Sequence, residues 1–153
     1  MARTFFQRFS RGVTAVLIGR SRLTLAGHAL DEPLVLGAAA GEFVPGELEE
    51  LLRRTFTERN LHGKAVIGFE PSVEFFATER VAAGQDGKRG SLLDKLVSEL
   101  GTNMIGRELD TPLPKGEFST AILAPAGLAR EARRGCSRVG PASVRLISTT
   151  HAL

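Results

Sequence analysis

The spacing of apolar residues along the chain divides it into alternating strand-like and helix-like segments. Residues 13–19 and 22–30 are two apolar runs separated by the turn Gly19-Arg20-Ser21, which predicts a hairpin. Pro33 to Leu36 predicts a third strand, followed by the small, flexible stretch Gly37 to Gly41. A helix is predicted from near Pro45, because Leu48, Leu51, Leu52 and Phe56 recur at i, i+3, i+4 and i+8. Glu47, Glu49 and Glu50 in its first turn and Arg59 near its end suit the helix dipole, and Gly63 follows as a stop. Lys64 to Phe69 is a short apolar strand.

After Glu70-Pro71 the pattern restarts. Val73 to Val81 predicts a strand, and Gly84 to Gly90 a polar loop. Ser91, with Asp94 three residues on, opens a helix in the manner of a capping box; Leu92, Leu93, Leu96, Val97 and Leu100 form its apolar face. Arg107 to Leu113 is a weaker strand, and Pro114-Lys115-Gly116 a turn. Phe118 to Ala124 is a strong strand, Gly127 to Arg138 a helix, and Ser143 to Thr149 the last strand. The order β-α-β-β-α-β predicts a split βαβ sandwich with Leu93, Leu96, Leu100, Phe118, Ile122 and Leu128 in its core. The expected division is a leader at 1–12, a hairpin sheet with its helix at 13–71, and a β-α-β-β-α-β unit at 72–153.

Composition changes this picture little. The 153 residues, 42% hydrophobic and 24% charged, suit one domain or two small units with a real core. The net charge of +3 is too mild for a nucleic-acid footprint, so no nucleic-acid partner is expected. One cysteine, Cys136, excludes an internal disulfide and suits a reducing cytoplasm. No apolar run approaches the roughly 18 residues of a membrane span. In the leader, Phe5, Phe6 and Phe9 interleave with Arg3, Arg8 and Arg11. It reads as a lead-in to the first strand or as a surface-binding arm, too short to anchor alone.

Candidate chemistry is sparse. His28, His62 and His151 lie far apart, without carboxylate or cysteine at metal-ligand spacing, so no metal is expected. Cys136 lies among arginines, which would lower a thiol pKa, yet a small helix-packing role suits it better. No G-x-S-x-G, H-E-x-x-H or P-loop pattern occurs. The arginines at 130, 133, 134 and 138 give a helix a basic open face, either solvated or facing an acidic partner or lipid headgroups. One apolar residue stands out. Alternation from Val73 puts Phe75 with Val73 and Ala77, and Phe76 with Glu74, Thr78 and Arg80. A Phe on the polar face of a strand is a candidate partner anchor, with Arg80 beside it; the competing reading is a second packed core.

The hairpin from Val13 to Ala26 resembles the first phosphate loop of actin-like ATPases, in the form used by PilM-type pilus-assembly proteins. There the first strand carries an aspartate two residues before the glycine of the turn, and the next strand often carries a lysine. Here Leu17 and Thr24 hold those places around Gly19, Arg20 and Ser21. The leader, Val66 to Ser72 and Ile122 to Leu128 are similar to other stretches of the same family. The GspL-type protein of type II secretion resembles it too, and the division protein FtsA more distantly. The resemblance implies an α/β, incomplete actin-like (ribonuclease H-like) fold with an inserted subdomain, covering the first half of such a protein. It implies the frame of an ATPase without its phosphate chemistry. The expected function is a non-enzymatic cytoplasmic scaffold, peripheral at the inner membrane, that binds the cytoplasmic tail of an inner-membrane assembly protein and uses no cofactor. The tail would dock at a sheet edge or in a groove between units. Two other classes compete: an ATPase fragment completed by a second half, and a filament-forming homo-oligomer.

Overall fold

The computed structural model describes residues 12–82, 91–101, 103–137 and, as backbone, 144–148. The basic leader to Arg11, the polar loop 84–90 and His151 lie outside the described residues. In chain order the elements are β1 (Val13–Ile18), β2 (Arg22–Gly27), β3 (Leu34–Gly37), α1 (Glu47–Glu58), β4 (Lys64–Phe69), β5 (Phe75–Val81), α2 (Leu92–Leu100), β6 (Met104–Leu113), β7 (Gly116–Pro125), α3 (Ala126–Ser137) and β8 (Val144–Ser148). They form a mixed α/β protein with two sheets, divided into one unit of residues 1–73 and 127–153 and another of residues 74–126.

The first unit carries a five-stranded sheet in the order β3-β2-β1-β4-β8. β1 and β2 are the expected hairpin, with Val16 opposite Leu25 and Ile18 opposite Leu23. β4 lies parallel to β1 on its other side, placing Ile67 beside Val16. Because side chains alternate, Thr14, Val16, Ile18, Leu23, Leu25 and Ile67 share one face, and Ala15, Leu17, Thr24, Ala26 and Gly68 the other. Both sets are buried, which explains the unbroken apolar run of β1.

Helix α1 buries Leu48, Leu52 and Phe56, as its periodicity predicts, while Leu51 is half-buried. It ends before the expected glycine stop. Asn60 takes the left-handed conformation (φ 52°), Asn60 N donates to Thr57 O at 3.2 Å, and Leu61 N donates to Phe56 O at 2.9 Å. This pattern satisfies the last carbonyls of the helix. Helix α3 packs on α1 through small residues. Ala129, Ala132 and Cys136 are buried, and a Cβ on Gly135 would stand 2.7 Å from Leu52 Cβ and 2.9 Å from Glu49 O. Glu131 Oε1 accepts from Gly46 N at 2.9 Å, satisfying an amide at the start of α1.

The second unit has a three-stranded antiparallel sheet, β5-β7-β6, with α2 on one face. Leu92, Ala121 and Leu123 are its buried centre, with Leu93, Leu96, Val97 and Met104 against them. Gly106 admits the helix: a Cβ there would meet Leu93 Cδ1 at 2.7 Å. Ser91 caps α2 by accepting from Asp94 N, as the capping pattern predicts.

The sequence reading of this unit needs correction in two respects. The β-α-β-β-α-β order over 72–153 does not fold as one sandwich. β8 pairs in parallel with β4, Ile67 facing Leu146, and α3 supplies the crossover that such a pair requires. The inserted unit is therefore β-α-β-β, and the chain returns to the first sheet after β7. The expected core also differs. Leu100 is 45% exposed and Phe118 41%, while Leu128 lies on the returning helix. Phe75, placed by alternation with the buried Val73 and the half-buried Ala77, is 44% exposed.

Candidate functional site

The hairpin turn joining β1 to β2 is a closed, internally satisfied structure. Gly19 N donates to Arg22 O at 2.8 Å, fixing the turn. Its carbonyls are engaged by the loop after β3: Ala38 N donates to Ser21 O at 2.8 Å and Phe43 N to Arg20 O at 3.1 Å. That loop is held by the Glu47 carboxylate, which accepts from Ala39 N at 2.7 Å and Val44 N at 3.0 Å. These two amides, Ala39 first, lower the Glu47 pKa below its ordinary value.

The residues flanking the turn lie together, as the hairpin register requires. Leu17 faces Thr24 across the ladder, with Gly68 on the other side of Leu17. Both side chains are 8% exposed. Leu17 offers no oxygen to a metal ion, and magnesium takes oxygen ligands. Gly19 is buried, and Arg20 and Ser21 are exposed.

A residue that the sequence reading passed over occupies this turn. Glu70, just beyond β4, has its backbone N bonded to Ile18 O at 2.8 Å. Its side chain accepts from Arg22 Nε at 2.8 Å, and its carboxylate lies where a side chain on Gly19 would begin. Arg20 Nε donates to Ser72 O at 2.9 Å. The two guanidinium groups flanking the turn are thus bonded to the chain's own oxygens. No local pattern in the sequence marks it, because Glu70 and Arg22 lie 48 positions apart.

The second candidate, Phe76 with Arg80, lies on β5 at an edge of the three-stranded sheet. The register aligns Phe76 with Ile122 and Arg107, and Arg80 with Phe118 and Thr111. This is the face opposite α2, since Leu123 and Ala121 pack on that helix. Phe76 is 50% exposed, and Phe118 and Ile105 on the same face are also exposed. Charge divides between the faces: Glu79, Glu108, Asp110 and Glu117 alternate onto the helix side, Arg80 and Arg107 onto the other.

On the helix side a carboxylate cluster caps α2. Glu108 accepts from Ser91 Oγ at 2.5 Å, Leu92 N at 3.2 Å, Leu93 N at 3.0 Å and Ser119 Oγ at 2.6 Å. Ser119 Oγ is also 2.6 Å from Asp110 Oδ1. Bonding from Ser119, then Ser91, holds the Glu108 carboxyl at about 2, well below its ordinary 4.5. This acid supports a helix start and presents no open ligand position. Among the described residues no group of His, Cys, Asp and Glu side chains is placed to hold a metal ion. Cys136 is a packing residue whose thiol is pushed up to about 12 by burial, the opposite of an activated thiol. No described helix is long and apolar enough to cross a membrane.

No family model matches the sequence, and no curated protein matches it. Among solved structures, the chain is similar to the cytoplasmic domain of EpsL, an inner-membrane component of the type II secretion system of Vibrio cholerae. The identity is 9%, the TM-score 0.56, and the match covers 88% of this chain and 56% of that one. A structure of the PilM-PilN type IV pilus biogenesis complex also matches, at 14% identity and TM-score 0.49, over 90% of this chain and 46% of that one. The chain spans about half the length of the structures it matches. The likeness to EpsL is one of fold.

Proposed function

We propose that this chain is a non-enzymatic scaffold of a pilus or secretion assembly platform, at the cytoplasmic side of the inner membrane. The observation that carries the reading is the occupied hairpin turn. In an actin-like ATPase the corresponding turn would meet phosphate and a magnesium ion. Here Arg22 is bonded to Glu70, and Leu17 stands at the place of the metal-side aspartate. An incoming phosphate would have to displace a carboxylate, and Leu17 would offer its metal no oxygen ligand. In this reading the first unit and its insert correspond to the first half of an actin-like fold, with the β-α-β-β unit inserted after β4. The fold shared with the EpsL cytoplasmic domain supports the kind of machine proposed.

The proposed partner is the cytoplasmic tail of an inner-membrane assembly protein. Phe76 and Arg80 would meet it on the face of the insert's sheet opposite α2, Phe76 as the apolar anchor. An anchor of this kind typically accounts for more than about 2 kcal/mol of binding, so Phe76→Ala should weaken tail binding more than about tenfold. Two measurements test the proposal. Titration with labelled ATP and magnesium should show no micromolar binding; binding that Ser21→Glu abolishes would overturn the non-enzymatic reading. Capture from membrane extract, followed by calorimetry with the captured tail, should show the Phe76→Ala loss. Undiminished affinity would remove Phe76 from the site.

A further inference from the structure

Strand β5 is an edge strand of unusual composition. Among the described strands it pairs with β7. Natural edges are usually blunted by proline, by charged residues (lysine above all), by a bulge or by shortness, because an open ladder invites another strand, and the charges β5 carries are Glu79 and Arg80. Of the other edges of the described sheets, β6 contains Pro112 and β3 is four residues long, while β8, of five residues, carries neither proline nor lysine. β5 runs for seven residues, Phe-Phe-Ala-Thr-Glu-Arg-Val, with no proline, glycine or lysine.

The strand is also complementary to itself. Directly opposite residues in a ladder share a face, so a two-fold axis perpendicular to the sheet must set one residue against its own copy. With Thr78, the central residue, on that axis, all seven residues pair. Phe75 then faces the second copy's Val81, Phe76 faces its Arg80, and Ala77 faces its Glu79. The apolar pair falls on the helix side. The aromatic–guanidinium pair falls on the side opposite α2, and a cation over a ring is favourable. No like charges meet, and Glu79 is balanced within its own chain by Lys95 Nζ at 3.7 Å.

We propose that β5 pairs antiparallel with β5 of a second copy, Thr78 against Thr78, joining two three-stranded sheets into one of six strands. The inference does not depend on the tail-binding reading, because its test contains no tail.

Thr78 is exposed, so its replacement leaves the core intact. In a Cys136→Ala background, Thr78→Cys should cross-link to itself under mild oxidation far faster than Glu58→Cys, an exposed control on α1. Opposed Cβ atoms lie about 4.5–5.5 Å apart, close to disulfide range. Phe76→Cys should not cross-link to itself, since its own copy would be about 13 Å away along the strand. A mixture of Phe76→Cys and Arg80→Cys should cross-link. Sedimentation of the unmodified chain should shift towards dimer with rising concentration. Thr78→Lys and Thr78→Glu should each abolish that shift, and an equimolar mixture should restore it. A purely structural role for Thr78 would not be rescued by mixing. Equal cross-linking of Thr78→Cys and the α1 control, or a monomer at every concentration, would overturn the proposal and leave the edge to another partner.

Discussion

Glu108→Gln should lower the stability of the inserted unit at neutral pH and remove part of its pH dependence. The Glu108 carboxylate collects four hydrogen bonds at the start of α2, two from Leu92 and Leu93 amides and two from Ser91 and Ser119 hydroxyls. A glutamine keeps one oxygen acceptor and turns an NH2 group towards the remaining donors. The folded carboxyl sits at about 2 against an ordinary 4.5, which at 1.36 kcal/mol per pH unit corresponds to about 3 kcal/mol. Glu108 is half-buried, so solvent screening reduces this to about 1–2 kcal/mol. The sign follows from the lowered value. The contribution is full above pH 4.5, declines as the pH falls towards 2, and is absent below both values. The chain has no Trp or Tyr, so unfolding is best followed by far-UV circular dichroism in urea. Amide exchange in α2 then assigns the loss to the insert. The wild type should exceed the variant by about 1–2 kcal/mol at pH 7, with the gap closing as the pH falls to about 2. A gap that stays constant with pH, or none at pH 7, would refute the assignment of a stabilising charged cap.

Other substitutions probe the first unit. Gly135→Ala should destabilise it by about 1–3 kcal/mol in a urea melt, despite better helix propensity, because the new methyl enters the α1–α3 contact at Leu52. Leu52→Ala should cost about 2–5 kcal/mol by the same assay, since Leu52 is fully buried. Cys136 should react with a thiol reagent at pH 8 only as fast as the unit opens, and at the normal rate in urea, given a thiol pushed up to about 12. Glu70→Ala should cost less than about 1 kcal/mol globally, because Arg22 is largely exposed, yet speed amide exchange at Gly19 and Val73.

What was legible in the sequence was what is local. The α1 stripe of Leu48, Leu52 and Phe56, the Ser91 cap and the β1–β2 hairpin depend on residues a few positions apart, and each lies where its pattern puts it. Pairing partners were not legible. The same order of elements serves a closed sandwich or an insert followed by a return to the first sheet, and only the β4–β8 ladder distinguishes them. Alternation put Phe76 on one face with Thr78 and Arg80, as the ladder does, but it could not foresee that Phe118 and Phe75 would also be exposed. The two acids that organise their surroundings were invisible for the same reason. Glu70 reaches Arg22 across 48 positions and Glu108 reaches Ser91 across 17, and neither carries a motif.

The contacts of Glu70 give the hairpin turn a structural role. Glu70 is where the chain leaves the five-stranded sheet for the insert, and three bonds fix that exit. Glu70 N is held by the Ile18 carbonyl, Arg22 holds the Glu70 side chain, and Arg20 holds the Ser72 carbonyl. Val73 N then bonds back to Glu70 O, bending the chain just before β5. Both arginines of the hairpin are thus directed at the connection between the two units. An exposed ion pair adds little to global stability, so this arrangement is better understood as local ordering of the connection. A turn bonded in this way has a reason to keep its glycine and its arginines without any nucleotide. Gly19 leaves room for the Glu70 carboxylate, and the guanidinium groups replace the hydration that the carboxylate and the carbonyl give up. A glycine-arginine hairpin that looks like a phosphate loop is therefore accounted for by the chain's own oxygens, and the proposed scaffold function requires no further ligand there.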